Sequence, residues 1–167
     1  MADCRSRWRN AEGHEETPVA FLTCNFRPAS EGRPALLAHN EVTTLFHEFG
    51  HGLHHMLTQE TVAGISGIAG VEWDAVELPS QFMENWCWQK ESIALISRHF
   101  ESEEPLPAEM LSSMLAAKNF NAGMMMARQL EFALFDMVLH SLSHIEEAEQ
   151  IQDVLDQVRD NVAVLIP

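Results

Sequence analysis

The chain has 167 residues, of which 46% are hydrophobic, and it carries 10 Lys and Arg against 25 Asp and Glu, a formal net charge of −15. A chain this acidic lacks the positive surface that binds nucleic acids or anionic membranes, so we expect neither partner. No apolar run reaches the ~18 residues of a membrane span. Three cysteines are too few for a disulfide scaffold, which favours a reducing, cytoplasmic location.

Residues 1–40 are predicted to form a lead-in and a small β-hairpin. Residues 1–17 are polar and charged, without an apolar period. Residues 18–28 form a short apolar run that is bounded by prolines and rich in strand-forming types, and residues 29–34 carry turn signals. Residues 35–38 could then pair back onto the first strand. An isolated hairpin is only marginally stable, so we expect it to pack on the rest of the chain.

Residues 41–167 are predicted to be helical. Asn40 is a suitable N-cap, Glu41 suits the positive end of a helix dipole, and apolar residues then recur at helical spacing as far as residue 58. Further helices are expected at residues 74–100, with Pro79 in the first turns, at 108–144 with a break near 119–123, and at 145–165. The predicted fold is therefore mainly α with a small N-terminal β-hairpin.

The first predicted helix contains the segment His47-Glu48-Phe49-Gly50-His51. Histidines at positions i and i+4 lie on one helix face, where both imidazoles can reach one cation, and imidazole is a preferred zinc ligand. Glu48 lies about 100° around the helix from His47, so it can reach a water held by the metal. Gly50 leaves room beside the metal, although it costs roughly 1 kcal/mol of helix propensity. This is the arrangement of the zincins, two metal ligands and a general base on one helix.

A catalytic zinc has three protein ligands and one open position, so a third ligand must lie elsewhere in the chain. Glu60 is the least suitable acid, because it follows the first helix and points away from the motif. Spacing favours Glu77 at the start of the second helix but leaves Glu72, Asp74 and Glu84 open as alternatives. Glu84 lies on the same helix face as Glu77, so one of the two could bind metal while the other orients a histidine or meets solvent.

Two longer segments carry a family resemblance. Residues 46–55 read Phe-His-Glu-Phe-Gly-His-Gly-Leu-His-His, and residues 76–86 read Val-Glu-Leu-Pro-Ser-Gln-Phe-Met-Glu-Asn-Trp. Together they resemble the thimet oligopeptidase family of zinc metallopeptidases, particularly its bacterial members, over most of residues 18–140. The resemblance implies a zincin-type catalytic core in which His47, His51 and Glu77 bind one Zn²⁺ per chain and Glu48 is the general base. It also implies that short peptides are the substrates, cleaved in a channel between two helical halves.

The chain departs from this family in two ways. Family members are several times longer, and they place tyrosines and a histidine beyond the third-ligand helix to bind the scissile carbonyl, whereas this chain has no tyrosine. We therefore expect an incomplete catalytic core with weak or no activity, whose uncovered apolar faces favour self-association. The loop from Gly64 to Gly70 resembles a mobile glycine-rich loop of the family near the substrate, but an ordinary connection between helices explains it equally well.

A non-enzymatic alternative is a metal-binding or helical interaction module. Structural zinc sites are closed and usually contain cysteine, whereas two histidines and one glutamate leave a coordination position open. A third alternative is a different zincin class, such as a protein-cutting endopeptidase. The residues around the expected ligands favour the oligopeptidase.

Overall fold

The computed structural model describes residues 1–165 and is mainly helical, with two small antiparallel strand pairs near the N-terminus. The prediction of a mainly α fold with a small N-terminal β element is therefore confirmed. The chain divides into two compact units, Met1–Pro107 and a second one that begins at Ala108. The division at residue 40 within one catalytic domain stays a prediction. Among the described residues, no helix is long and apolar enough to cross a membrane.

Three of the four strands in the described residues lie where the sequence predicts none. Strand β1 (Ala2–Arg5) pairs with β4 (Val19–Phe21), and β2 (Trp8–Arg9) pairs with β3 (Glu15–Glu16). The prediction that residues 1–17 are irregular is wrong, and so is the prediction that residues 35–38 pair with the strand at 18–28. Only the existence of that strand is confirmed, in a shorter form.

Charged side chains and a turn stabilise the pairing of β2 with β3. Arg7 donates to Glu15 at 2.6 Å, and Arg9 also binds the same carboxylate. The side-chain oxygen of Asn10 accepts the backbone N–H of His14 at 2.9 Å and closes the turn between β2 and β3. Hydrogen bonds from Arg7 and then Arg9 lower the pKa of Glu15. Because ion pairs and a side-chain turn hold β2 and β3 together, a search for apolar alternation cannot detect this pair.

Helix α1 spans His39–Met56 and contains the whole His-Glu-Phe-Gly-His segment. The helix begins one residue before the expected cap Asn40, which lies in the first turn. The carboxylate of Glu41 accepts the backbone N–H of Ala38 at 2.7 Å, so this acid satisfies a donor at the helix start. The predicted helix is confirmed, with both ends displaced by two residues.

The single helix expected over residues 74–100 is wrong. The segment instead forms helix α2 (Leu78–Glu84), a 3₁₀ turn (Asn85–Trp88) and helix α3 (Lys90–Ile96). The side-chain amide of Asn85 donates to the carbonyl of Phe82 at 3.0 Å, which competes with the helical backbone. Gln89 is extended, with φ −89° and ψ 132°, and separates the turn from α3. Pro79 lies in the first turn of α2, as predicted.

The second unit contains helices α4 (Ala108–Ala117), α5 (Ala122–Ser141) and α6 (Glu149–Val162). The predicted break near residues 119–123 is confirmed. Glu131 of α5 is buried and accepts hydrogen bonds from Arg128 at 2.7 Å and from Arg159 of α6 at 2.9 Å. This shared carboxylate joins α5 to α6.

Three elements of the first unit meet at His55 of α1, which is fully buried. Its Nε2 lies 2.9 Å from the carbonyl of Arg5 in β1, and its Nδ1 accepts the backbone N–H of Ile68 at 3.4 Å. The backbone N–H of Gly67 donates to the Thr58 hydroxyl at 3.2 Å. The glycine-rich segment is therefore hydrogen-bonded to the end of α1 and forms two 3₁₀ turns, Ala63–Ile65 and Gly67–Gly70.

Replacing Gly67 with alanine is expected to destabilise the protein by about 1–3 kcal/mol. Gly67 has a φ of +64°, and an added Cβ would lie 2.5 Å from Nδ1 of His55. The matched control is Gly64→Ala, whose Cβ would meet nothing within 4 Å. Urea unfolding of both variants tests the claim, and equal stability of the two would contradict it.

Acid is expected to weaken the junction between α5 and α6. Hydrogen bonds from Arg159 and then Arg128 hold the pKa of Glu131 below its usual range. Because the folded-state pKa is lower than the unfolded one, the stabilisation is complete above the unfolded pKa and is lost as pH falls through the folded value. Denaturant unfolding at descending pH should show a shallower loss of stability for Glu131→Gln than for Glu109→Gln, an exposed control in α4. Identical acid profiles would refute this role.

Candidate metal centre

Helix α1 places His47 and His51 one turn apart, with ring centroids separated by 4.9 Å and ring planes at 85°. Glu77 directly precedes α2, and its Oε2 lies 3.2 Å from Nε2 of each histidine. The three candidate ligand atoms all lie within 4.8 Å of one another. The structure thus brings together the three residues that the sequence singles out as metal ligands.

The other candidate acids lie outside this group. The Glu60 carboxylate accepts the backbone N–H groups of Thr61 and Val62, at 2.8 and 2.9 Å. Glu72 and Asp74 are not among the three residues that converge. Glu84 does reach the centre, but its Oε1 lies 2.7 Å from Nδ1 of His47, on the opposite side of that ring from Glu77.

The chemistry and spacing of this group fit zinc. Ligand atoms that each lie about 2.0–2.1 Å from a tetrahedral ion are separated by roughly 3.3 Å. The observed separation between Oε2 of Glu77 and each histidine Nε2 is 3.2 Å. Two imidazoles and one carboxylate also leave a fourth position free, as in catalytic zinc sites.

A backbone contact between α1 and α2 holds Glu77 in reach of the histidines. A Cβ on Gly50 would lie 2.6 Å from Cα of Ser80 and 2.7 Å from the carbonyl oxygen of Pro79. The space that Gly50 leaves is therefore occupied by α2, and the expectation that it leaves room beside the metal is wrong. Only a residue without a side chain permits this approach.

Ser80 is a residue of the site that sequence reasoning missed. It is fully buried, and its hydroxyl lies 2.9 Å from both the backbone carbonyl and Oε2 of Glu77. The hydroxyl can donate to only one of these oxygens at a time. The available signal was the spacing, because a serine three residues after an acid at a helix start faces that acid.

Glu48 lies beside the histidines in a cavity of about 300 Å³. The cavity is lined by Thr43, Thr44, His47, Glu48 and Glu84. The N-terminal ammonium of Met1 contacts Oε2 of Glu48. This hydrogen bond is the main cause that lowers the pKa of Glu48, the charges of Met1, His47 and His51 act in the same direction, and partial burial opposes them. The lowered pKa keeps this carboxylate ionised at neutral pH.

Gly50→Ala is expected to weaken zinc binding about 10–100-fold, the usual range for groups that support metal ligands. The added methyl group must push α2 away and carry Glu77 with it. The control is Gly123→Ala in α5, where a Cβ would meet nothing within 4 Å and helix propensity should improve by about 0.5–1 kcal/mol. Competition with a chromophoric chelator measures the affinity. Wild-type affinity in Gly50→Ala would contradict this account of the helix contact.

Comparison with known proteins places this chain in a family. Oligopeptidase A of Haemophilus influenzae is 59% identical over 165 residues, which are 99% of this chain and 24% of that protein. Oligopeptidase A of Escherichia coli is 56% identical over the same shares. Saccharolysin of Saccharomyces cerevisiae is 36% identical over 148 residues, 89% of this chain and 21% of that protein. The chain spans about a quarter of the length of these relatives.

Peptidase family M3 matches residues 1–165 of the sequence. Almost the whole chain lies within this match, including the two histidines, Glu48 and Glu77. The relatives also confirm the resemblance to bacterial oligopeptidases that the motifs indicate. The chain belongs to peptidase family M3.

Proposed function

We propose that this chain forms the metal-binding catalytic part of a zinc-dependent oligopeptidase. The observation that carries the proposal is the convergence of His47 and His51 on Glu77, each at 3.2 Å, with the Glu48 carboxylate beside them. Family membership and the similarity to oligopeptidase A support it. His47, His51 and Glu77 would hold one Zn²⁺, and when bound this ion supplies a Lewis acid that polarises a peptide carbonyl and acidifies a water molecule.

Glu48 is the general base in this proposal. Its carboxylate takes a proton from the attacking water as the oxygen bonds to the scissile carbon. It then passes the proton to the departing nitrogen as the carbon–nitrogen bond breaks. An ionised carboxylate is the form that accepts a proton in this role. General acid–base catalysis of this kind contributes about 10²–10⁴-fold to the rate.

Short peptides are the proposed substrates, following the oligopeptidase names of the relatives. The polypeptide by itself is expected to hydrolyse them weakly. The family resemblance assigns binding of the scissile carbonyl to tyrosines, and this chain has none. Losing one such donor typically lowers turnover about 10²–10³-fold. The proposed location is the cytoplasm, because three cysteines without disulfide bonds suit a reducing compartment.

A second candidate function is that of a non-catalytic interaction module. Exposed apolar side chains favour this candidate. Leu57, Leu78 and Phe82 are 68%, 74% and 61% exposed and line a groove of about 640 Å³ beside α1 and α2. Such a face suits contact with another polypeptide, including a second copy of the chain. A hydroxamate inhibitor distinguishes the two candidates, since it binds an open zinc and does not bind a closed structural one.

Hydrolysis of a quenched fluorescent peptide by the zinc-loaded chain tests the proposal. Any turnover should fall about 10²–10⁴-fold in Glu48→Gln, because the amide cannot accept the proton. Zinc binding should persist in Glu48→Gln and should be lost in His51→Ala. The control is Glu91→Gln, an exposed position in α3, which should leave both unchanged. Undiminished hydrolysis by Glu48→Gln would contradict the assigned role of Glu48 as general base. Rapid turnover by the unaltered chain would contradict only the expectation of weak activity.

A further inference from the structure

The imidazole of His47 lies between two carboxylates from one helical segment. Its Nε2 is 3.2 Å from Oε2 of Glu77, and its Nδ1 is 2.7 Å from Oε1 of Glu84. Seven residues make almost two helical turns, so both acids lie on the same face of α2. An imidazole can offer only one of its nitrogens to a given ion. Glu84 is therefore a partner of the nitrogen that faces away from the candidate metal centre.

This contact determines which nitrogen of His47 carries the hydrogen. A carboxylate oxygen accepts hydrogen bonds and a ring N–H donates them, so this 2.7 Å contact favours the tautomer with the hydrogen on Nδ1. A neutral imidazole has one N–H, which leaves the lone pair on Nε2, directed at the candidate centre. The nearby hydroxyls of Thr43 and Thr44 donate to helix carbonyls at 3.1 and 3.0 Å. Their hydrogens are therefore engaged elsewhere and do not compete for the carboxylate.

The two histidines of the centre are supported unequally. The His51 side chain is 10% exposed, and its buried Nδ1 has no hydrogen-bond partner within residues 1–165. The His47 side chain is 26% exposed, so packing restricts its ring less. Burial therefore orients His51, whereas His47 depends on its hydrogen bond to Glu84. Removing that bond frees both the ring rotation and the tautomer of His47.

We propose that Glu84 is a positioning residue that holds the His47 imidazole with Nε2 facing the metal centre and thereby sets the affinity for zinc. Groups that receive the second N–H of a metal-binding histidine act in this way in other metal sites. The inference rests on the metal centre of the proposed function. The orientation of His47, however, can be measured without any metal.

Zinc affinity of the purified chain provides the first test. Competition with a chromophoric chelator should show a loss of about 10–100-fold in Glu84→Ala. Glu84→Gln should lose less, because its amide oxygen still accepts the hydrogen bond. The matched control is Glu91→Gln, which removes the same charge from an exposed position. Unchanged affinity in a folded Glu84→Ala would overturn the proposal, and so would an equal loss in the control.

The tautomer of His47 provides the second test, in the metal-free protein. Long-range ¹H–¹⁵N spectra at a pH where the ring is neutral should show the proton on Nδ1 in the unaltered chain and in Glu84→Gln. In Glu84→Ala they should show it shifted toward Nε2, the commoner tautomer of a free imidazole. An unchanged tautomer in Glu84→Ala would overturn the proposal even if zinc binding weakened. If Glu84→Ala does not fold, a proton on Nε2 in Glu84→Gln would overturn it.

The two tests separate this inference from the proposed function. If the unaltered chain binds no zinc, the proposed metal centre fails. The tautomer measurement still decides whether Glu84 orients His47, because it requires no metal.

Discussion

The close approach of α1 and α2 at Gly50 is the constraint on which the candidate centre depends. A Cβ at this position would overlap Cα of Ser80 and the carbonyl of Pro79, so the two helices meet through their backbones. Interhelical distances are normally set by interposed side chains. Without one, α2 approaches closely enough for Glu77 to reach both imidazoles of α1. The low helix propensity of glycine is the accompanying cost, about 1 kcal/mol.

Once the helices are in contact, each of three residues in or next to α2 makes a different contact around His47 and His51. Glu77 meets Nε2 of each ring, the buried Ser80 hydroxyl meets the Glu77 carboxylate, and Glu84 meets the far side of His47. These residues recur at spacings of three, four and seven, so they share one helix face. A short helix of seven residues, together with the residue directly before it, thus supplies a candidate ligand and two supporting contacts.

The other end of α1 is held by a different kind of contact. His55 is fully buried and joins β1 to the glycine-rich segment through its two ring nitrogens. A buried imidazole with both nitrogens engaged satisfies two backbone groups, so His55 links these elements through hydrogen bonds. Close packing of Gly67 against this ring restrains a segment whose composition alone suggests mobility. The histidines of α1 therefore serve two purposes, His47 and His51 at the candidate centre and His55 in the fold.

The sequence alone determined the helix of the metal motif, the strand near Val19, the break between α4 and α5, and the preference for Glu77, because local periodicity and spacing encode these features. Tertiary structure decided the rest. The pairing of β2 with β3 depends on ion pairs and on a turn, which leave no apolar period. Likewise, the separation of Glu77 from Glu84 as partners of opposite nitrogens depends on how α2 docks on α1. Two acids seven residues apart are equivalent on an isolated helix, and only contact with a second helix makes them different.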